Sequence, residues 1–284
     1  MTRLLAILLA ILSLTARGYE LTTVQACSTN ALTLVFYSCG WTASEKANFL
    51  RFVTNAAGTI NGQSWTAGYS NRIKILAVMT NDPNSGIDGN TSDNSYTTYG
   101  GYITAGNSCR IDVAKLGAVK TAAGLDELPA IVVLNVGNYA GTTISIAAGM
   151  RLVMTTNAEV NILAHELGHY VPGMDYPRSP LADEYTGGTD FALTNAAASL
   201  SAATNQWLTE FPSLYPPVSR DGGYVPTSTC KMDNVSNPFC LVCSNQLSRA
   251  LFSIAGISSG GGSSPYIPPR PSFLNFGTLR IGNP

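Results

Sequence analysis

Histidine is nearly missing from this chain: its 284 residues contain two. Charge is also scarce, with 16 Lys and Arg against 17 Asp and Glu, a net charge of -1 and 12% charged residues. The basic residues form no cluster, which excludes the electrostatic footprint of a nucleic-acid binder or of a protein held on an anionic membrane. Only one sizeable apolar run stands apart from turn signals, Leu4 to Leu14, placed between Arg3 and the small residues Ala16 and Gly18. A bilayer span takes about 20 apolar residues. The run therefore reads as a secretory signal peptide over residues 1–18, with no membrane span and a secreted product, extracellular or periplasmic.

What is present describes a folded enzyme-sized body, with 45% hydrophobic residues. Six Cys in an exported chain point to disulfides, with a pair expected inside CKMDNVSNPFCLVC, because three Cys and no spare His do not complete a tetrahedral zinc set. The apolar stretches ALTLVFYS (31–38), NRIKILAVMT (71–80) and PAIVVLNV (129–136) read as buried strands. A helix is expected after Thr42 and Glu45, which have capping-box spacing, and others within 112–124, 198–209 and 244–255. The mixed pattern near 144–155 suggests one irregular edge strand. Strands alternating with helices argue for an α/β fold with a mainly parallel sheet. Residues 19–256 are assigned to one domain. Residues 257–284 hold a Gly, Ser and Pro linker and then SFLNFGTLRIGNP, which resembles the first strand of bacterial immunoglobulin-like modules and is too short to form one.

Both histidines lie in HELGH, residues 165–169, inside a segment whose start is marked by capping-box spacing of Thr156 and Glu159 and whose end is marked by Pro172 and Gly173. At about 100° per residue, Val160, Leu163, Ala164, Leu167 and Val171 share one side of such a helix, and His165 and His169 share the other. Imidazoles four residues apart reach one ion. Glu166 sits about a quarter turn away, placed to touch a water rather than the metal. Two neutral imidazoles, an open position for water and a carboxylate to take its proton are what zinc-dependent hydrolysis requires, with Zn²⁺ as cofactor and Glu166 as general base. Gly168, lacking a side chain, leaves room for another element to approach closely.

No third histidine exists, so the third ligand is a carboxylate or Tyr, with Asp175, Asp183, Glu184 and Asp190 nearby. HELGH followed by LADEYTGG resembles the IgA peptidase family of zinc metallopeptidases, whose motif joins HExGH to Leu-x-Asp-Glu-Tyr. LTLVFYSCGWTASEKANFLRFV, NRIKILAVMTNDPNSGID and IVVLNVGNYAG resemble that family's successive strands and turns, and CKM and FCLVC its Cys-Met and Cys-x-x-Cys segments, so the likeness runs over about 31–255. The resemblance implies a metzincin-like fold, His165 and His169 as metal ligands, Glu166 as base and Asp183 as third ligand. Asp175, six residues beyond His169, competes by count, since this chain inserts MDYPRSP where the family has a short turn. Met232 is either the methionine that packs beneath a metzincin-like metal or a loop methionine. Tyr185 is an oxyanion-stabilising or a structural aromatic, and Trp41 and Trp65 are core or cleft-wall residues. The expected activity is that of a secreted zinc metalloendopeptidase acting on protein or peptide substrates. The competing expectation is a secreted or surface binding module that keeps the fold and metal without turnover.

Overall fold

The computed structural model describes residues 18–27, 31–87, 97–103, 109–126, 128–136, 143–145, 151–156, 160–171, 181, 195–208, 211–214, 217–220 and 222–254. Its frame is a six-stranded sheet. In chain order the strands are β1 (Glu20–Gln25), β2 (Leu32–Cys39), β3 (Ile73–Met79), the two-residue β4 (Tyr102–Ile103) and β5 (Cys109–Arg110), β6 (Ala130–Leu134), β7 (Thr143–Ser145) and β8 (Arg151–Thr155). Spatial order in the sheet is β1-β3-β2-β6-β8-β7, while β4 and β5 form a separate antiparallel ribbon. The four inner strands run parallel and the two edge strands antiparallel.

Side chains on successive strand residues point to opposite faces, and here they separate into two cores. Leu34, Phe36, Ile75, Ala77, Ile131, Val133, Leu152 and Met154 enter one cluster, while Val35, Tyr37, Leu76, Val78, Val132, Leu134 and Val153 enter the other. Burial on both faces is the reason these strands read as continuous apolar runs. The first core is covered by α1 (Lys46–Asn61), whose Phe49, Val53, Ala56, Ala57 and Ile60 form one stripe. On the second face lies α2 (Val113–Ala123), capped by Asp112 Oδ1, which accepts from Ala114 N–H at 2.9 Å and Lys115 N–H at 3.2 Å, and closed by Gly124 at φ 67°. Next come α3 (Val160–Tyr170) and a single helical turn, Leu200–Ala203, continued by a π-turn, Thr204–Leu208. β9 (Val218–Arg220) and β10 (Gly223–Val225) make a short ribbon, and α4 (Leu241–Ile254) is buried along most of its length.

Three details depart from the sequence reading. The stretch near 144–155 holds two strands, and the edge is β7, since β8 pairs in parallel with β6. β1 is an additional edge strand, and Gln25 holds it by donating from Nε2 to the carbonyls of Ser70 at 2.9 Å and Ile73 at 2.8 Å. The helix expected over 198–209 narrows to one α-turn and the π-turn. The tail from 255 onward, the signal segment 1–17 and the cap residue Glu159 lie outside the described residues.

At the C-terminal ends of the parallel strands, buried Asp82 joins two loops. Its Oδ2 accepts from Gly40 N–H at 2.6 Å and its Oδ1 from Thr98 N–H at 2.7 Å. Gly40 sits at φ 76°, and a Cβ there would lie 2.0 Å from the Gly86 carbonyl oxygen, so only glycine fits this crossing. Glu45, whose Oε2 accepts from Thr42 N–H at 2.9 Å, also takes bonds from Ser85 Oγ at 2.7 Å and Asn135 Nδ2 at 3.2 Å. One carboxylate thus ties the start of α1 to the ends of β3 and β6.

Candidate metal centre

The α3 helix carries HELGH, and its apolar side behaves as its periodicity predicts: Leu163, Ala164, Leu167 and Val171 are fully buried in the first core. Its histidine side is not a solvent face. His165 is 4% exposed, covered by the turn that contains Lys231 and Met232, while Glu166 and His169 are more open. The two rings stand 5.0 Å apart between centroids with their planes at 84°.

Each ring is anchored by a backbone carbonyl. His165 Nδ1 lies 2.7 Å from the Lys231 oxygen, and His169 Nδ1 lies 2.7 Å from the Leu181 oxygen. A carbonyl only accepts, so each Nδ1 carries the hydrogen and donates. In the neutral ring this fixes the tautomer with the lone pair on Nε2, the usual outer-shell arrangement of a metal-binding imidazole. One potential ligand atom from each of His165, Glu166 and His169 falls within 4.8 Å of the others. Two imidazoles and an adjacent carboxylate form a donor set suited to zinc, and the committed Nδ1 hydrogens show that these residues fit such an ion.

Leu181 does more than hold a ring. It is 1% exposed, and its N–H reaches back to the Gly168 carbonyl at 3.3 Å, so residue 181 is stitched to the helix on both sides of its own peptide. Asp183 follows two positions later. Asp183, Asp175, Glu184, Tyr185 and Asp190 themselves lie outside the described residues.

Gly168 admits the close neighbour that its missing side chain invites. A Cβ there would stand 2.6 Å from Met232 Sδ and 3.3 Å from Phe239 Cε1. Met232 is fully buried against this spot, one turn of helix surface between the two ligand candidates. Trp41 and Trp65 are core residues, Trp41 donating from Nε1 to the Val133 carbonyl at 3.0 Å.

The turn that supplies the Lys231 carbonyl is built with care. Asp233 and Asn234 N–H groups both bond the Cys230 carbonyl, at 3.0 and 2.9 Å, and Lys231 N–H bonds the Pro238 carbonyl at 2.9 Å. The Lys231 side chain is itself buried, its Nζ donating to the Val235 carbonyl at 2.6 Å and lying 5.9 Å from the centre of the Phe239 ring. Sequence reasoning missed the Lys231 and Leu181 carbonyls. No side-chain type advertises a backbone acceptor, and only the habit of ligand histidines to be anchored at their second nitrogen signals that such groups must exist.

None of the six cysteines is joined in a disulfide. The disulfide expected inside 230–243 is not formed in this structure. Cys230, Cys240 and Cys243 are nevertheless gathered, with Sγ atoms within 4.8 Å of one another.

A family model described as IgA Peptidase M64 matches residues 22–208. No curated protein matches the chain. The matched span contains HELGH and Asp183 and stops short of the turn at 230–233.

Proposed function

Because the chain belongs to the IgA peptidase M64 family, a family of metallopeptidases, we propose that it is a secreted, zinc-dependent, metzincin-like endopeptidase with His165, His169 and Asp183 as metal ligands and Glu166 as general base. The observation that carries this reading is the pair of imidazoles held by carbonyls through Nδ1, with potential ligand atoms of both rings and of the Glu166 carboxylate within 4.8 Å of one another. The docking of Leu181 onto α3 supports Asp183 over Asp175, because Leu181 is the first residue of LADEY in the sequence and its carbonyl holds the His169 ring.

Zinc, when held there, supplies Lewis acidity that acidifies water and polarises a carbonyl. The chain's own groups do the rest. His165, walled in by the Lys231 turn, is a rigid ligand whose orientation is set before substrate arrives. His169 and Glu166 are less buried than His165, and substrate would approach them. Glu166 takes a proton from the attacking water and passes it to the nitrogen of the leaving amine. Met232, filling the space over Gly168, supports the ligand pair from below, as in metzincin-like sites.

Export rests on the sequence of residues 1–18, with Arg3 ahead of the apolar run Leu4 to Leu14 and the small residues Ala16 and Gly18 after it. N-terminal sequencing of material recovered from the medium or periplasm tests this, and a start at Met1 refutes it.

The decisive experiment is hydrolysis of a broad peptide library by wild type and Glu166→Gln. Removing a general base costs about 10²- to 10⁴-fold, so the variant is expected to keep its fold and metal and lose turnover by at least that range. Wild-type rates in Glu166→Gln, or no cleavage by zinc-loaded wild type, would overturn the reading. Asp183→Ala is expected to lose the ion that Asp175→Ala retains.

A further inference from the structure

The three gathered cysteines are placed by a different part of the chain from HELGH, and their geometry stands independently of the proposed activity. Cys230 opens the turn at 231–233, Cys240 immediately precedes α4, and Cys243 lies in its first turn. All three are buried. Cys230 Sγ and Cys243 Sγ are 3.7 Å apart, far from the roughly 2.05 Å of a disulfide bond. Two thiolates on one tetrahedral zinc ion, each at about 2.3 Å, lie about 3.8 Å apart.

The surroundings favour anionic sulfur. Cys240 N–H donates to Cys230 Sγ at 3.3 Å, and the Met232 N–H also points at it. The sulfurs crowd the N-terminus of α4, where the helix dipole favours negative charge. Cys39 is the contrast within the same molecule. It is a single buried thiol, donating to Thr97 Oγ1 at 3.4 Å and pushed up to about 12 by burial, as a structural cysteine should be.

We propose that Cys230, Cys240 and Cys243 hold a structural cation of their own, a thiophilic d¹⁰ ion, either zinc or cuprous copper. Three thiolates complete a trigonal cuprous site and fill three corners of a tetrahedral zinc site. Binding converts thiols to coordinated thiolates, with the protons released to solvent. The ion clamps the loop arm at Cys230 to the start of α4. By doing so it fixes the Lys231 carbonyl that orients His165 and the Met232 side chain that lies over Gly168. It is a brace under the first site, away from substrate.

The test compares wild type, His169→Ala, Cys240→Ser and Cys243→Ser, purified without chelator and supplied with zinc or cuprous ion separately. Bound metal is counted by elemental mass spectrometry, its ligands by X-ray absorption, and thiols by alkylation and intact mass. The expected result is that His169→Ala still holds one ion with a sulfur shell at about 2.3 Å, and that either Ser variant loses that ion. Whichever metal is retained identifies the ion. A metal-free His169→Ala protein overturns the proposal, as does a wild-type chain lighter by a pair of hydrogens with two of these cysteines resistant to alkylation. If a Ser variant does not fold, the wild-type and His169→Ala measurements decide alone. The proposed peptidase site can fail separately: His169→Ala would then leave metal content unchanged.

Discussion

Replacing Gly168 by Ala sets two calculable effects against each other. In a helix interior the change is worth about 0.5–1 kcal/mol in favour of Ala, because glycine loses more backbone freedom on folding. Here the new Cβ meets Met232 Sδ at 2.6 Å, Met232 Cε at 3.3 Å and Phe239 Cε1 at 3.3 Å. Ordinary contact begins at 3.4 Å, so the sulfur must retreat by 3.4 − 2.6, or about 0.8 Å, in a fully packed site where such strain costs about 1–3 kcal/mol. Packing wins, and a net loss of about 1–2 kcal/mol is expected. Gly117, in α2 with nothing within 4 Å of its missing Cβ, is the internal control and should gain about 0.5–1 kcal/mol on substitution by Ala. At about 2–4 °C per kcal/mol for a domain of this size, thermal unfolding should separate the two variants clearly. Displacing Met232 also disturbs the turn that carries the Lys231 carbonyl, so chelator competition should show metal affinity lowered by about 10- to 100-fold in Gly168→Ala. In a Met232→Ala background the penalty should shrink, since the obstructing atom is gone. The reasoning is refuted if Gly168→Ala stabilises the protein as Gly117→Ala does and binds metal unchanged.

The loops at the strand ends give two more tests. Asp82→Asn keeps shape but turns one acceptor into a donor facing the Gly40 or Thr98 N–H, and should cost about 1.5–3 kcal/mol by denaturant unfolding. Burial pushes the Glu45 carboxyl up, but hydrogen bonds from Ser85, Thr42 and Asn135 outweigh it and hold the group below the ordinary value of a glutamate. A carboxylate held low contributes stability above the unfolded value and loses it as pH falls through the folded one. Acid titration of stability should therefore be shallower below pH 4.5 in Glu45→Gln than in wild type.

The parts of this structure that were legible in the sequence are those whose cause is local. β2, β3 and β6 announce themselves because burial on both faces demands unbroken apolar runs, and α1 because Phe49, Val53 and Ile60 repeat at helical spacing. HELGH was legible for the same reason, since residues four apart on a helix share a face. β1 was missed because ELTTVQ carries no strong pattern and is held by pairing with β3, about fifty residues away. What covers the side of α3 bearing His165 was not legible, because the covering turn comes 66 residues later. The cysteine cluster was illegible for a related reason. CKMDNVSNPFCLVC invites pairing in twos, whereas the fold brings three sulfurs to one place.

The long reach from His165 to Lys231 also gives the protein a schedule. Residues 160–170 leave the ribosome well before the turn that holds the first ring, and at about 5–20 residues per second the 231 − 169 = 62 residues from Tyr170 through Lys231 take roughly 3–12 s to follow. Throughout that interval the growing chain contains both histidines without the carbonyl that aims one of them. The proposed site, assembled this way, lacks the anchor of one ring until nearly the whole domain has been synthesised, and a chain broken anywhere before residue 231 has no such anchor.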